Sequence, residues 1–286
     1  MRMILRRLGA VLAVTGLALS ACGGSDDEPS STIDSYVALG DSFVAGLGLN
    51  PQVKDSGDCG RSQVNWPSLV AKDLDVKDFT DKSCSGAVTG DLLDSRKTAD
   101  GTIVPAQIDA VTKDTQLVTL SIGGNNGALY RDLFLSCGSL SGAANDACEP
   151  FVSTKMPGLL EAITTAVEQT LTAVRAKAPD AEIVMVGYLG VAPESGTCDG
   201  LLSPANVTVV AGAEDRLDST LAEAAQAQGV RYVSLRSASG GHDVCAGSSA
   251  WVNGLAPDAG DGAILHPNAA GMKGAAKAVS AFISGV

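Results

Sequence analysis

Apolar runs, followed by turns or by helical patterns, punctuate the chain from Ser35 onward. Five of them read as buried strands: 35–40 (SYVALG), roughly 74–79 (LDVKDF), 116–122 (QLVTLSI), 182–188 (EIVMVGY) and 230–235 (VRYVSL). The third and fourth are almost continuously apolar, as expected for strands covered on both faces. The second is polar. Between the strands the apolar period becomes helical. NWPSLVAKDL follows Asn65 with Pro67 in its first turn, a favoured place for proline. VPAQIDAVT is short, residues 156–178 form a long amphipathic pattern ended by Pro179, and another runs from about 206 to 228 and stops at Gly229. The last runs from Pro267 to Ile283. Alternation of strand and helix predicts an α/β domain over 35–286, a three-layer α/β/α arrangement around a parallel sheet of about five strands. The Cys-bounded stretch 131–155 reads as an insertion over one end of the sheet.

The pattern before Ser35 is different. Arg2, Arg6 and Arg7 precede an apolar run, Leu8 to Leu19, that is too short to span a bilayer as a stable helix. The run ends in Leu19-Ser20-Ala21-Cys22, followed by Gly23-Gly24 and SDDEPSSTID. This order resembles a bacterial lipoprotein signal. Residues 1–21 are then a removed signal peptide, Cys22 carries lipid, and 22–34 are the lipidated cysteine and a flexible tether too polar to build a core. The chain is expected outside the cell, held to the membrane by its lipid or released from it.

Loss of residues 1–21 removes three arginines and no acid, taking the formal net charge from −12 to about −15. With no basic patch, nucleic acid is not an expected partner. Anionic head groups offer no attraction either, so membrane attachment falls to the lipid. Beyond Cys22 there remain Cys59, Cys84, Cys137, Cys148, Cys198 and Cys245, an even set that in an exported chain argues for disulfides. Six cysteines allow fifteen pairings. The sequential one, 59–84, 137–148 and 198–245, is expected because each pair brackets a loop-like stretch. A metal site is disfavoured, since there is no CxxC pair and neither histidine stands at ligand spacing from one.

The first strand ends on Gly40-Asp41-Ser42. A surface turn accounts for both polar residues. The alternative is a nucleophile at the C-terminal edge of a parallel sheet, where open α/β folds place their ligands. A serine nucleophile needs a base within reach and donors aimed at the developing oxyanion. Only two histidines exist. His242, in SGGHDVCAG, reads as a packed loop residue. His266, in DGAILHPNAAG, precedes the last helix and can swing over the sheet edge.

Gly40-Asp41-Ser42, Gly86, Gly123-Gly124-Asn125 and His266-Pro267 follow one another in order. In this the chain resembles the SGNH (GDSL) hydrolases, esterases and lipases with a flavodoxin-like α/β/α fold. It is most similar to their secreted, disulfide-bearing actinobacterial branch, in which segments like CSGA, SIGGN and GHDVC…WVNG recur. The resemblance implies Ser42 as nucleophile, His266 as base, and an oxyanion hole from the Ser42 and Gly86 N–H groups and the Asn125 side-chain amide. It implies no cofactor. Each of these residues also has a plain reading as a turn or cap residue. Two positions depart from the family pattern. Asn126 replaces an Asp, with a structural effect only expected. Ala263 stands three residues before His266, where the family carries its third catalytic residue, an Asp. The backbone carbonyl of Ala263 is expected to orient the imidazole, with Asp261 or Asp258 from the preceding loop as the alternative.

The expected function is a lipid-anchored carboxylic-ester hydrolase acting through a Ser42–His266 dyad on a small-molecule or lipid ester, as a monomer. Phe43, Val44, Leu47 and Leu49 after the nucleophile line an acyl groove or, the preferred reading, form core at a helix start. One alternative is deacetylation of a polysaccharide, which two tryptophans and 4% aromatic residues disfavour. The other is a binding lipoprotein that lost catalysis, for which Ala263 and Asn126 are the only support.

Overall fold

The structure is a computed structural model that describes residues 32–98, 101–139 and 147–285. The expected signal peptide, Cys22 and most of the tether lie outside the described residues. Strands β1 (Ser35–Gly40), β2 (Asp78–Asp81), β3 (Leu117–Ser121), β4 (Glu182–Val186) and β5 (Arg231–Val233) form one parallel sheet in the order β2-β1-β3-β4-β5. This is the flavodoxin-like order, whose switch point lies between β1 and β3. Helices α1 (Ser42–Ala45), α2 (Trp66–Asp73), α3 (Thr89–Leu93), α4 (Leu129–Cys137), α5 (Met156–Lys177), α6 (Pro204–Ala227) and α7 (Ala269–Ser284) accompany it. Helix α2 packs with α7, and α5 packs with α6.

Every residue of β3 is buried, as are Ile183 to Val186 of β4, which explains their unbroken apolar runs. A polar pair at the sheet centre is satisfied, with the Tyr36 hydroxyl 2.7 Å from Thr119 Oγ1. Asn65 caps α2 by accepting the Ser68 amide at 3.1 Å, and Pro67 sits in the first turn as expected.

Several boundaries move. Strand β2 lies at Asp78–Asp81 rather than 74–79, because Leu74 closes α2 and Asp75 turns the chain in the left-handed region, φ 53°. Strand β5 stops at Val233, where the Ser234 side chain caps a short helix, Leu235–Ala238. VPAQIDAVT supplies only the 3-10 turn Gln107–Ala110. Helix α6 starts at Pro204, capped by Ser203. Helix α7 starts at Ala269 instead of Pro267, with Asn268 Oδ1 accepting the Gly271 amide at 2.9 Å.

The cysteines pair as 59–84, 137–148 and 198–245, with Cα separations of 4.0, 4.3 and 5.4 Å. In the stretch 131–155, α4 ends at Cys137, and Cys148–Pro150 leads through a wider turn, Phe151–Lys155, directly into α5. Leu133, Phe134, Phe151 and Val152 of this stretch are buried, while Leu135 is exposed.

Candidate active site

The site grows from the end of β1. Gly40 has φ +150°, and a Cβ there would lie 2.5 Å from the Ser121 carbonyl, so only glycine lets β1 and β3 end this close together. Asp41 is buried. Its Oδ1 accepts the Phe43 amide at 2.9 Å and caps α1, while Oδ2 accepts the Tyr188 hydroxyl at 2.5 Å. Burial pushes the Asp41 carboxyl up to about 7, and the hydrogen bonds from Tyr188 and Phe43 oppose that rise. Ser42 thus becomes the first residue of a short helix, at the C-terminal edge of the sheet beside the switch point.

His266 reaches this serine across 224 positions of sequence: its Nε2 lies 2.8 Å from Ser42 Oγ. Its Nδ1 lies 2.8 Å from the carbonyl oxygen of Ile264. A carbonyl only accepts, so Nδ1 carries the proton and Nε2 is left to accept from the serine hydroxyl. The expected partner, the Ala263 carbonyl, is not the one used. Leu265 takes the left-handed conformation, φ 54°, in the turn that sets the Ile264 oxygen against the ring. The Ala263 oxygen instead accepts from the His266 amide at 3.2 Å and from Asn253 Nδ2 at 3.3 Å. Neither acid replaces it. Asp261 Oδ1 accepts the Ala269 amide at 2.8 Å at the start of α7, and Asp258 is exposed on the preceding loop. Burial lowers the His266 pKa below its usual value, against the smaller opposing pull of the Ile264 carbonyl. That shift favours the neutral, proton-accepting form of the ring.

Two loops bring the remaining residues to the same edge. After β2, the Cys84 amide bonds to the Gly40 carbonyl at 2.9 Å, and the Ser85 amide and hydroxyl both donate to the Cys59 carbonyl, at 3.1 and 2.8 Å. Gly86 follows with φ +73°, a conformation that glycine adopts without strain. After β3, the Gly124 amide donates to the Tyr188 hydroxyl at 2.8 Å, and Asn125 Nδ2 donates to the Ala87 carbonyl at 3.1 Å. That bond uses one amide hydrogen of Asn125 and fixes the direction of the other. Among the described residues no hydrogen bond engages the main-chain amides of Ser42 and Gly86. Asn126 has the structural part expected of it: it accepts from the Thr89 amide at 3.1 Å and donates to Thr89 Oγ1 at 2.7 Å, docking the loop on α3.

A cleft of about 230 Å³ opens over Ser42, Asn125 and His266, walled by Phe43, Tyr130, Phe134, Leu135, Val191 and Ile264. Of the four apolar residues after the nucleophile, Phe43 alone borders it, and Val44 and Leu49 are core. A larger hollow, about 380 Å³, lies against Asp55–Cys59 and Ile103–Ala106, away from Ser42. His242 is a packed residue, its Nδ1 2.7 Å from the Ser249 carbonyl and its ring stacked on Trp251 at 4.2 Å. The sequence reading did not single out Tyr188. The available signal was its place at the end of a buried strand, where a phenol needs a partner.

The sequence profile of the GDSL-like Lipase/Acylhydrolase family matches residues 38–273. Lipase 1 of Streptomyces coelicolor is 32% identical over 278 residues, 93% of each chain. Among solved structures, a phospholipase A1 from Streptomyces albidoflavus is similar with a TM-score of 0.75 and 31% identity, over 87% of this chain and 99% of that one. An extracellular lipase from Streptomyces rimosus is similar with a TM-score of 0.74 and 29% identity, over 86% and 98%.

Proposed function

The chain belongs to the GDSL-like lipase/acylhydrolase family, and on that premise we propose that it hydrolyses carboxylic esters outside the cytoplasm with Ser42 as nucleophile and His266 as general base. The observation that carries this reading is the 2.8 Å approach of His266 Nε2 to Ser42 Oγ. As Oγ attacks the ester carbonyl, Nε2 takes its proton. Negative charge grows on the carbonyl oxygen, and the Ser42 amide, the Gly86 amide and Asn125 Nδ2 stabilise it. The imidazolium returns the proton to the departing alkoxide, and water, activated by the same nitrogen, frees the acyl group from Ser42. The Ile264 carbonyl fixes the tautomer throughout but supplies only a partial charge to the imidazolium, so this is a dyad. No step requires a cofactor.

The apolar walls and modest size of the cleft favour a short acyl chain from a small-molecule or lipid ester. In the same reading residues 1–21 direct export and lipid on Cys22 tethers a monomer to the membrane, facing outward. The test is a panel of p-nitrophenyl esters graded by chain length, with Ser42→Ala and His266→Ala beside the wild type. Hydrolysis is expected to favour short chains and to fall to background in both variants. Undiminished turnover by folded Ser42→Ala would overturn the assignment.

A further inference from the structure

Arg96 opens a two-stranded antiparallel ribbon, Arg96–Lys97 with Ile103–Val104, and does not line the ester cleft. Its guanidinium lies behind the loop that carries Gly86. Nη2 donates to the Ser85 carbonyl at 2.5 Å and lies 2.9 Å from Cys84 Sγ, while Nη1 faces Asp91 Oδ2 at 3.5 Å. The side chain is 19% exposed, and its Nε is buried without a partner. A cation is costly to hold this way, so a surface ion pair does not account for its position.

The Ser85 carbonyl and the Gly86 amide belong to one peptide unit, and in a planar trans peptide the two groups point in opposite directions. Fixing the carbonyl therefore fixes the amide hydrogen on the far side. The constraint matters here because a glycine at φ +73° has other conformations open to it, and rotation of this peptide turns the N–H away. A charge-assisted bond to the carbonyl also polarises the peptide and strengthens its N–H as a donor. Asp91 completes the grip, its Oδ2 accepting the Val88 amide at 2.9 Å.

We infer that Arg96 is a positioning residue for the oxyanion hole, its guanidinium holding the Ser85–Gly86 peptide so that the Gly86 N–H faces the developing negative charge. The inference rests on the oxyanion role proposed above for Gly86. Arg96→Met keeps the apolar stem and removes the donor. It is expected to lower kcat about thirtyfold with KM changed less than about twofold, the pattern of an interaction made only in the transition state. A trifluoromethyl ketone, whose hemiketal oxygen occupies the hole, should bind more weakly by the same factor. Arg96→Lys keeps the charge opposite Asp91 but not the planar fork, and should lose less. Circular dichroism and a count of free thiols establish that each variant is folded with its disulfides intact. A folded Arg96→Met enzyme with wild-type kcat and inhibitor affinity overturns the inference, and so does a rise in KM alone. Arg96→Lys losing as much kcat as Arg96→Met, with inhibitor affinity unchanged, overturns it as well. Ester hydrolysis surviving in Ser42→Ala instead overturns the underlying reading of the site.

Discussion

The Tyr188 hydroxyl lies 2.5 Å from Oδ2 of Asp41, tying the end of β4 to the residue before the proposed nucleophile. The Tyr188 hydroxyl oxygen also accepts the Gly124 amide, so one phenol joins the ends of three neighbouring strands. Tyr188→Phe leaves a buried carboxylate oxygen and a buried amide without partners. Each orphaned group costs about 1–3 kcal/mol. A lower urea midpoint is expected, with kcat reduced several-fold because Asn125 directly follows Gly124. Unchanged stability would show that the phenol contributes only its ring.

The lowered pKa of His266 sets the direction of the pH profile. The active base is the neutral imidazole, so kcat/KM should rise with pH and level off once the ring has lost its proton. The midpoint is expected below the ordinary histidine value of about 6.5. A profile of kcat/KM from about pH 4 to 8 measures it. A midpoint above 6.5 would mean that a carboxylate, and not the Ile264 carbonyl, supports the imidazolium.

Asp261 and Asp258 separate a dyad from a triad. Asp258→Ala should match the wild type in rate and stability. Asp261→Ala removes the acceptor for the Ala269 amide and should cost about 1 kcal/mol, as loss of a helix cap does, with turnover changed less than about tenfold. Asp261→Asn keeps an acceptor oxygen and should recover that stability. Corrupting a true triad carboxylate costs on the order of 10⁴ in turnover, as it does in a Ser-His-Asp protease. A thousandfold loss in folded Asp261→Ala would make Asp261 a catalytic partner of His266.

Export and anchoring have their own test. In cell fractionation, Cys22→Ala is expected to leave the membrane fraction while the released protein hydrolyses esters at the wild-type rate. If the variant stays with the membranes as the wild type does, Cys22 is not the anchor.

Much of this was legible along the chain. Buried β1, β3 and β4 announce themselves through apolar runs, and the turn at Gly40-Asp41-Ser42 stands where such a sheet presents its chemistry. The sequential disulfide pairing, one of fifteen open to six cysteines, is expected from the loop-like stretch that each pair brackets and is the one found. What the chain conceals is set by single backbone angles and by contacts between distant segments. The shift from Ala263 to Ile264 depends on one φ angle at Leu265, a residue type that gives no hint of a left-handed turn. Strand β2 is half exposed and polar, so nothing in its periodicity marks where it starts. Arg96 sits in a polar stretch, and its bond to Ser85 exists only once the ribbon folds over the loop.

The bond between Cys59 and Cys84 closes beside the loop that carries Gly86, where Ser85 draws its amide and hydroxyl contacts from the Cys59 carbonyl. Closing a loop with a sequence separation of 25 contributes about 3 kcal/mol by restricting the unfolded chain. Protein refolded under thiol should regain activity only in step with this bond, and a Cys59→Ala/Cys84→Ala protein with wild-type turnover would show that the clamp is dispensable. Thiols stay reduced in the cytoplasm and oxidise beyond it. A chain whose Cys59 and Cys84 thiols are still reduced holds the serine and the histidine with this loop unclamped, and its turnover is expected to be the lower for it.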